Sequence, residues 1–294
     1  MAAPHPPETR RTEAISPTRE AWRQFRRNRP AIAGLVLLGL IVLAVLYGSF
    51  LYGGDPYRIV AAPLTAPGMQ ASVPLGTDFL GRDMLAGLLK GGAPTLAVGL
   101  SAAVLTVVIG LSVGAMAGYF GGWLDDLLMR LTEFFQVLPA LLFAMVLVTL
   151  FSPSLYMIAL AISLVTWPAT ARLTRSEFLR IRELEYVTST RSIGARDRYI
   201  IAKVILPNAL PPLIVSAALT AGVAILFEAG LSFLGLGDPN TMSWGIIIGQ
   251  NRQVLLEAWW PVTLPGLAIF LTVFAIALVG DGINDAFNPK LRSR

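Results

Sequence analysis

The sequence predicts an all-α membrane protein with six transmembrane helices, both termini cytoplasmic, and one ordered cytoplasmic loop. Three observations carry that prediction. Of 294 residues, 55% are hydrophobic and only 14% charged, with a mean hydropathy of +0.66, whereas soluble chains carry roughly a quarter charged residues. The apolar residues gather in blocks near the ~20 residues that cross a bilayer as helix. Finally, 19 of the 23 basic residues fall on one side of the resulting path and 4 on the other, which places the basic side in the cytoplasm. This composition excludes a soluble enzyme, and outside the ends it excludes a disordered chain. The net charge of +5 and the pI near 9.8 follow from basic topogenic segments, so no nucleic-acid partner is implied.

Taken in order, residues 1–30 form a polar tail carrying Arg10, Arg11, Arg19, Arg23, Arg26, Arg27 and Arg29. Within it, Trp22 and Phe25 sit three apart and anchor a short lead-in helix at the interface. The remaining chain, 31–292, reads as one membrane domain. Its first span, 31–52, is longer than the apolar core of a cleaved signal and is expected to be retained. Further spans are expected over 94–118, 134–151, 155–171, 209–234 and 262–283. A polar connection with Asp125, Asp126, Arg130 and Glu133 precedes the third, and Ser152-Pro153-Ser154 turns the third into the fourth. Tyr47, Tyr52, Trp123, Trp244, Trp259 and Trp260 fall near span ends, as interfacial aromatics do.

The residue inventory removes most chemistry. There is no Cys, and the single His is His5 in the tail. Thiolate, disulfide and His-based metal or triad chemistry therefore lack raw material. None of the three Lys (Lys90, Lys203, Lys290) follows a Gly, so no G-x-x-x-x-G-K phosphate loop exists. No catalytic, metal or cofactor site is expected on this chain.

The longest cytoplasmic connection, 172–208, is too patterned for a linker. Phe178, Ile181, Leu184, Tyr186 and Val187 recur at roughly helical spacing with Arg and Glu between them. Gly194 suits a left-handed stop to that helix. Tyr199, Ile200, Val204 and Leu206 predict a second short helix, and Pro207 marks the start of the next span. Two readings fit this pair: a rigid knob for a partner protein, or helices lying on lipid headgroups.

Two acidic groups stand out. Glu228 lies inside the fifth span, where a carboxylate faces protein or a water-filled cavity; both a structural role and a role in gating or lining a pathway fit it. Asp281 and Asp285 close the sixth span as solvated or capping acids. On the outer side, Gly76-Thr77-Asp78-Phe79-Leu80-Gly81-Arg82-Asp83 reads as a Gly-punctuated turn and helix cap. Gly230, Gly235 and Gly237 permit close helix approach or a break.

These segments together resemble a known family. Gly194, nine residues, then Val204-Ile205-Leu206-Pro207 resembles the E-A-A-x-x-x-G-x9-I-x-L-P loop of permease subunits in binding-protein-dependent ABC importers. Thr188-Ser189-Thr190 stand where that pattern has Glu-Ala-Ala. Residues 76–83, Gly118-Tyr-Phe-Gly-Gly-Trp123-Leu-Asp125, Leu231-Ser-Phe-Leu-Gly-Leu-Gly237 and Ser243-Trp244-Gly245 are similar to the dipeptide/oligopeptide/nickel subfamily. So is Gly280-Asp281-Gly282-Ile-Asn284-Asp285 with Asn288-Pro289, and residues 22–29 resemble the lead-in of its C-type subunit. The resemblance implies a permease forming half of a pathway for peptides. Its partners would be a second permease, cytoplasmic ATPase subunits that bind ATP and Mg, and an external solute-binding protein, in a bacterial inner membrane.

By that resemblance, Thr188, Ser189, Thr190, Arg191, Gly194, Ala195, Leu206 and Pro207 are the ATPase-coupling residues. Asp78, Arg82 and Asp83 are candidates for the binding-protein face, and Glu228 for gating or the pathway. An ion-driven secondary transporter is the competing class. Such proteins commonly need several intramembrane ionisable groups or paired repeats, and the deep inventory here is essentially Glu228. Nickel or another small solute in place of a peptide is the alternative within the same class.

Overall fold

The computed structural model describes residues 17–287; the tail before Pro17 and the Asn288-Pro289 motif lie outside the described residues. Ten helices follow one another in this region: α1 (Pro17–Arg27), α2 (Arg29–Tyr52), α3 (Met84–Phe120), α4 (Gly122–Val137), α5 (Ala140–Phe151), α6 (Leu155–Arg182), α7 (Glu185–Ser192), α8 (Asp197–Leu236), α9 (Trp244–Asn251) and α10 (Trp260–Phe287). Among the described residues, β pairing is limited to two isolated bridges, Ile59 with Arg82 and Thr77 with Asp83.

Five helices (α2, α3, α6, α8 and α10) are long and apolar enough to cross a membrane, and the bent pair α4–α5 makes a sixth if counted as one span. That bend corrects the continuous span expected over 134–151. The two helices meet at 88°, with Leu138 extended at φ −71°, ψ 131°. The cause is Pro139, whose ring drives the preceding residue out of the helical region. Hydropathy is blind to this break because Leu138 and Pro139 interrupt no polar boundary. The polar connection before it, 119–133, is mostly helix α4, set off by Gly121 and Gly122 at φ +66° and +60°.

Two further boundaries move for equally local reasons. α3 begins at Met84 rather than near 94, because Asp83 caps it: its Oδ1 accepts from the Leu85 N–H at 2.8 Å. The expected second short helix around Tyr199 is not separate from the next span, for α8 runs unbroken from Asp197 through Pro207. Before the proline the helix widens into a π turn, Ile200–Ile205, where the Leu206 N–H reaches Ile201 O. Such a turn accommodates an interrupted ladder. Likewise, 172–182 is the last stretch of α6 and not loop.

The bundle is organised around α3 packed on α6. Gly110, Gly114 and Gly118 recur every fourth residue on α3 and face Thr170–Ala171, Ala171–Arg175 and Arg175–Phe178 of α6. A Cβ on Gly114 would press into the Ala171 carbonyl oxygen and stand 2.6 Å from Thr174 Cβ. Small residues at this spacing let two backbones approach where lipid offers no hydrophobic drive between helices. On either side of this pair, α2 packs on α10, and α8 packs on α3, α6 and α10. Exposed Leu40, Phe50, Leu100, Val104, Leu150 and Phe270 lie on the outside of the bundle, the surface a bilayer would cover.

Where α3 ends, Arg182 of α6 donates to the Gly118 and Tyr119 carbonyls at 3.1 and 3.0 Å, capping the helix with a cation. Two turns earlier on α6, Arg175 grips Asp125 of α4 through two bonds of 2.5 and 2.6 Å. This fork-to-fork pair ties α4 to α6 beside the edge-on contact of Phe135 with Trp167, and charge-assisted bidentate bonds are the strong ones. Asp125→Ala should cost about 1–3 kcal/mol. In a double-mutant cycle with Arg175→Ala, measured as thermal melting in detergent, the second substitution should add little to the first.

The lead-in helix is not a simple interfacial anchor. Trp22 is exposed and stacks at 5.8 Å on Phe25, but Phe25 itself is buried with Ala31 and Ala286. Asn28 caps α2 through Oδ1 to the Ala31 N–H and donates through Nδ2 to Asp285 at 2.9 Å. Asp285 thereby ties the two terminal segments together.

Candidate functional site

Three regions hold the residues singled out above. The first is the elbow after α6. Val187 of α7 is fully buried with Phe178, Ile181, Ile200 and Ile205, so α7 is bolted to the ends of α6 and α8. Its end is a Schellman turn: the Ala195 N–H reaches Thr190 O and the Gly194 N–H reaches Arg191 O, with Gly194 at φ +84°. That conformation suits glycine because a Cβ crowds the backbone there.

Tyr119, at the end of α3, is the hub beneath the elbow. Its hydroxyl donates to Asp197 Oδ1 at 2.5 Å, and the Arg191 guanidinium lies 5.7 Å over its ring. α3, α7 and the start of α8 therefore meet on one side chain. Sequence reasoning gave neither residue a role: Tyr119 stood only within the Gly118–Asp125 motif, and Asp197 lay inside the 172–208 connection with no pattern to link it to Tyr119.

The other face of the elbow is open. Thr190, Ile193, Gly194, Ala195, Tyr199 and Val204 are among the residues lining a groove of about 660 Å³, and Ile193 and Tyr199 are 85% and 54% exposed. Thr188, Ser189 and Arg191 are exposed alongside, Leu206 is half-buried, and Pro207 is exposed. The expected coupling residues thus share one end of the bundle, with apolar side chains presented outward on a buried, rigid base.

The second region lies at the opposite end. Asp78 Oδ1 accepts from the Leu80 and Arg82 N–H groups at 2.9 and 2.8 Å. Asp83 holds the start of α3 and accepts from the Tyr52 hydroxyl at 2.6 Å. Both carboxylates are nearly buried, at 5% and 7%. Arg82 reaches Gln250 at 3.3 Å and lies 5.6 Å over the Tyr57 ring. The segment is a tied shelf: Trp260 Nε1 donates to Thr77 O, and the Phe79 N–H to Asn251 Oδ1.

The third region is Glu228, 1% exposed on α8. Ser232 Oγ donates to its Oε1 at 2.7 Å. Oε2 has no hydrogen-bond partner, although the Thr95 and Ser243 side chains face the carboxyl. Glu228 does not snorkel to an interface. It lies where α3, α8 and the segment leading into α9 converge.

Five to six apolar helices long enough to cross a membrane and an exposed apolar elbow on a buried base define a polytopic membrane protein with one outward apolar surface at its end. The chain belongs to the family of binding-protein-dependent transport system inner membrane components, whose model matches residues 110–293, and an N-terminal domain model of oligopeptide transport permease C matches 16–67.

Similar proteins include a di/tripeptide transport system permease protein DppC of Pseudomonas aeruginosa, 39% identical over 284 residues, covering 95% of this chain and 94% of that one. A dipeptide permease DppC of Bacillus subtilis is 39% identical, covering 95% and 88%. A glutathione transport permease GsiD of Pectobacterium atrosepticum is 34% identical, covering 98% and 96%. Among solved structures, an inward-facing MetNI methionine ABC transporter shares the fold, with a TM-score of 0.58 at 22% identity over 70% of this chain and 98% of that one. This family consists of transport components and not enzymes, and the ion-driven alternative is not favoured.

Proposed function

We propose that this chain is one permease half of an ATP-driven peptide importer in a bacterial inner membrane, with the elbow end in the cytoplasm. The observation that carries the reading is the elbow: exposed Ile193 and Tyr199 beside a left-handed Gly194, on a buried base that meets α3 and α8 through Tyr119. ATP and Mg act on partner ATPase subunits docked there, through Thr188, Ser189, Thr190, Arg191, Gly194, Ala195, Leu206 and Pro207. A second permease completes the pathway, and an external solute-binding protein meets the shelf of Asp78, Arg82 and Asp83. The peptide assignment is supported by the names of the relatives, two of which transport di- or tripeptides.

Transport then needs no bond chemistry on this chain. It needs two bundle arrangements of similar free energy that the partner biases by binding one better. α8 suits such a transmission, because from Asp197 to the break at Gly235 it makes, at 1.5 Å per residue, a rod about 57 Å long leading from the elbow toward the opposite end of the bundle. The test is uptake of a labelled dipeptide in a strain lacking the chain and in one with it restored. Uptake that depends on ATP and is competed by unlabelled peptide is the expected result. Uptake that survives ATP depletion and collapses with an uncoupler overturns it, and competition by nickel but not by peptide reassigns the solute.

A further inference from the structure

The short helix α9 is pinned to the bundle from two sides. Gly245 and Gly249, four apart, lie directly on α8: a Cβ at Gly245 would stand 2.7 Å from Ala229 Cα, and one at Gly249 would stand 2.8 Å from Phe233 O. Toward α3, the Trp244 indole is buried, donates to Leu88 O at 2.9 Å and packs beside Gly91 and Gly92. The Trp244 N–H reaches Thr95 Oγ1 at 3.3 Å, while Ser243 Oγ caps α9 through the Ile246 N–H. Glu228 sits at the centre of these contacts, joined to Ser232 on its own helix and facing Thr95 of α3 and Ser243 at the head of α9. Just beyond, Gly235 at φ +88° breaks α8 and leads the chain toward α9.

We propose that Glu228 is the positioning residue that couples α9 to α8, making α9 the outer gate of the pathway and the Glu228–Thr95–Ser243 cluster its latch. This rests on the permease reading and deepens it. One carboxyl oxygen accepts from Ser232 and the other has no hydrogen-bond partner, at the point where Thr95 of α3 receives the Trp244 N–H and Gly245 of α9 lies on Ala229 and Ser232. An oxygen at 1% residue exposure with no partner is costly to keep, and a latch gains from it, because small displacements of α8 make or break the contacts of Oε2. The role lies in hydrogen-bonding geometry and not in a net charge, since among the described residues no basic side chain pairs with Glu228. A glutamine, with one acceptor and one donor on the same planar frame, is predicted to serve.

The experiment uses the complete complex in nanodiscs. Because the chain has no Cys, Gln250→Cys on α9 and Tyr156→Cys at the start of α6 give a unique spin-label pair with cysteine-free partners. The distance is read with and without a non-hydrolysable ATP analogue, beside peptide uptake and ATP hydrolysis. Wild type and Glu228→Gln should show the same nucleotide-dependent shift and uptake within about twofold of each other. Glu228→Leu should lose the shift and at least tenfold of uptake while ATP hydrolysis continues. Thr95→Val with Ser243→Ala removes both facing hydroxyls without touching α8, together with the Ser243 cap on the Ile246 N–H and the Thr95 acceptor of the Trp244 N–H, and should reproduce that loss. If this double variant keeps the shift and the uptake, the latch is refuted whether or not the leucine protein assembles. Failure of Glu228→Gln alongside Glu228→Leu also refutes it. A wild-type complex that neither hydrolyses ATP nor takes up peptide would instead overturn the permease reading itself.

Discussion

Replacing Gly114 by leucine should remove the protein from the membrane almost entirely. At this point α3 and α6 touch backbone to backbone, with the Ala171 carbonyl oxygen inside the space a Cβ would need and Arg175 N at 3.0 Å. Neither neighbour is the end of a flexible side chain, so relief requires the helices to separate. Separation would pull apart the stripe at Gly110 and Gly118, the Arg182 cap on α3 and the Tyr119 hub. Overpacking costs about 1–3 kcal/mol where a core can shift; here the most extensive helix pair of the bundle has nowhere to go, and the upper end or beyond is expected. Membrane abundance and the size-exclusion profile of a fluorescent fusion measure it. Gly39→Leu is the control, because nothing lies within 4 Å of a Cβ there. A Gly114→Leu protein as abundant and as monodisperse as that control would contradict the packing argument.

Gly194→Val should leave the protein inserted and abundant but lower uptake at least tenfold. A Cβ on Gly194 meets nothing within 4 Å, so the effect is conformational and not a clash. At φ +84° a β-branched residue is strained by about 1–3 kcal/mol. Relaxing that strain re-aims the chain between α7 and α8 and breaks the Schellman bonds from Gly194 and Ala195. Val187 and Ile200 remain buried as anchors, so the fold survives while the docking face is displaced. Gly194→Asn, which tolerates the left-handed region, should retain most uptake, with Gly194→Ala between the two. ATPase co-purification alongside uptake separates lost docking from lost signalling. Normal values of both in the valine variant would remove the elbow from the coupling route.

Much of this architecture was legible in the sequence because it depends on one-dimensional quantities. Block length and apolar content predicted the helices, and Gly194 with Val204-Ile205-Leu206-Pro207 marked the elbow. The glycines of α3 stood in the sequence at intervals of four, a legible signal that went unused. Less accessible were Tyr119 joined to Asp197, Asp125 joined to Arg175, and Asn28 joined to Asp285. Each pair is separated by 50 to 257 positions, and no local pattern links such partners. The outer acids show the same limit from another side. Asp78 and Asp83 were visible as a turn and cap motif, yet only the packed shelf shows both carboxylates held by backbone N–H groups and Tyr52.

By itself the sequence determined an all-helical bundle that crosses a membrane, the place where its elbow turns, and the absence of Cys- or membrane His-based chemistry, because hydropathy, glycine conformation and residue inventory are local properties. The tertiary structure alone decided that 134–151 is bent at Pro139, that the elbow runs straight into α8, and that Glu228 is buried where α3, α8 and the approach to α9 meet. Those outcomes depend on how helices distant in the chain share volume. A buried carboxyl, a bend or a continuous rod acquires a role only from the neighbours that packing brings to it.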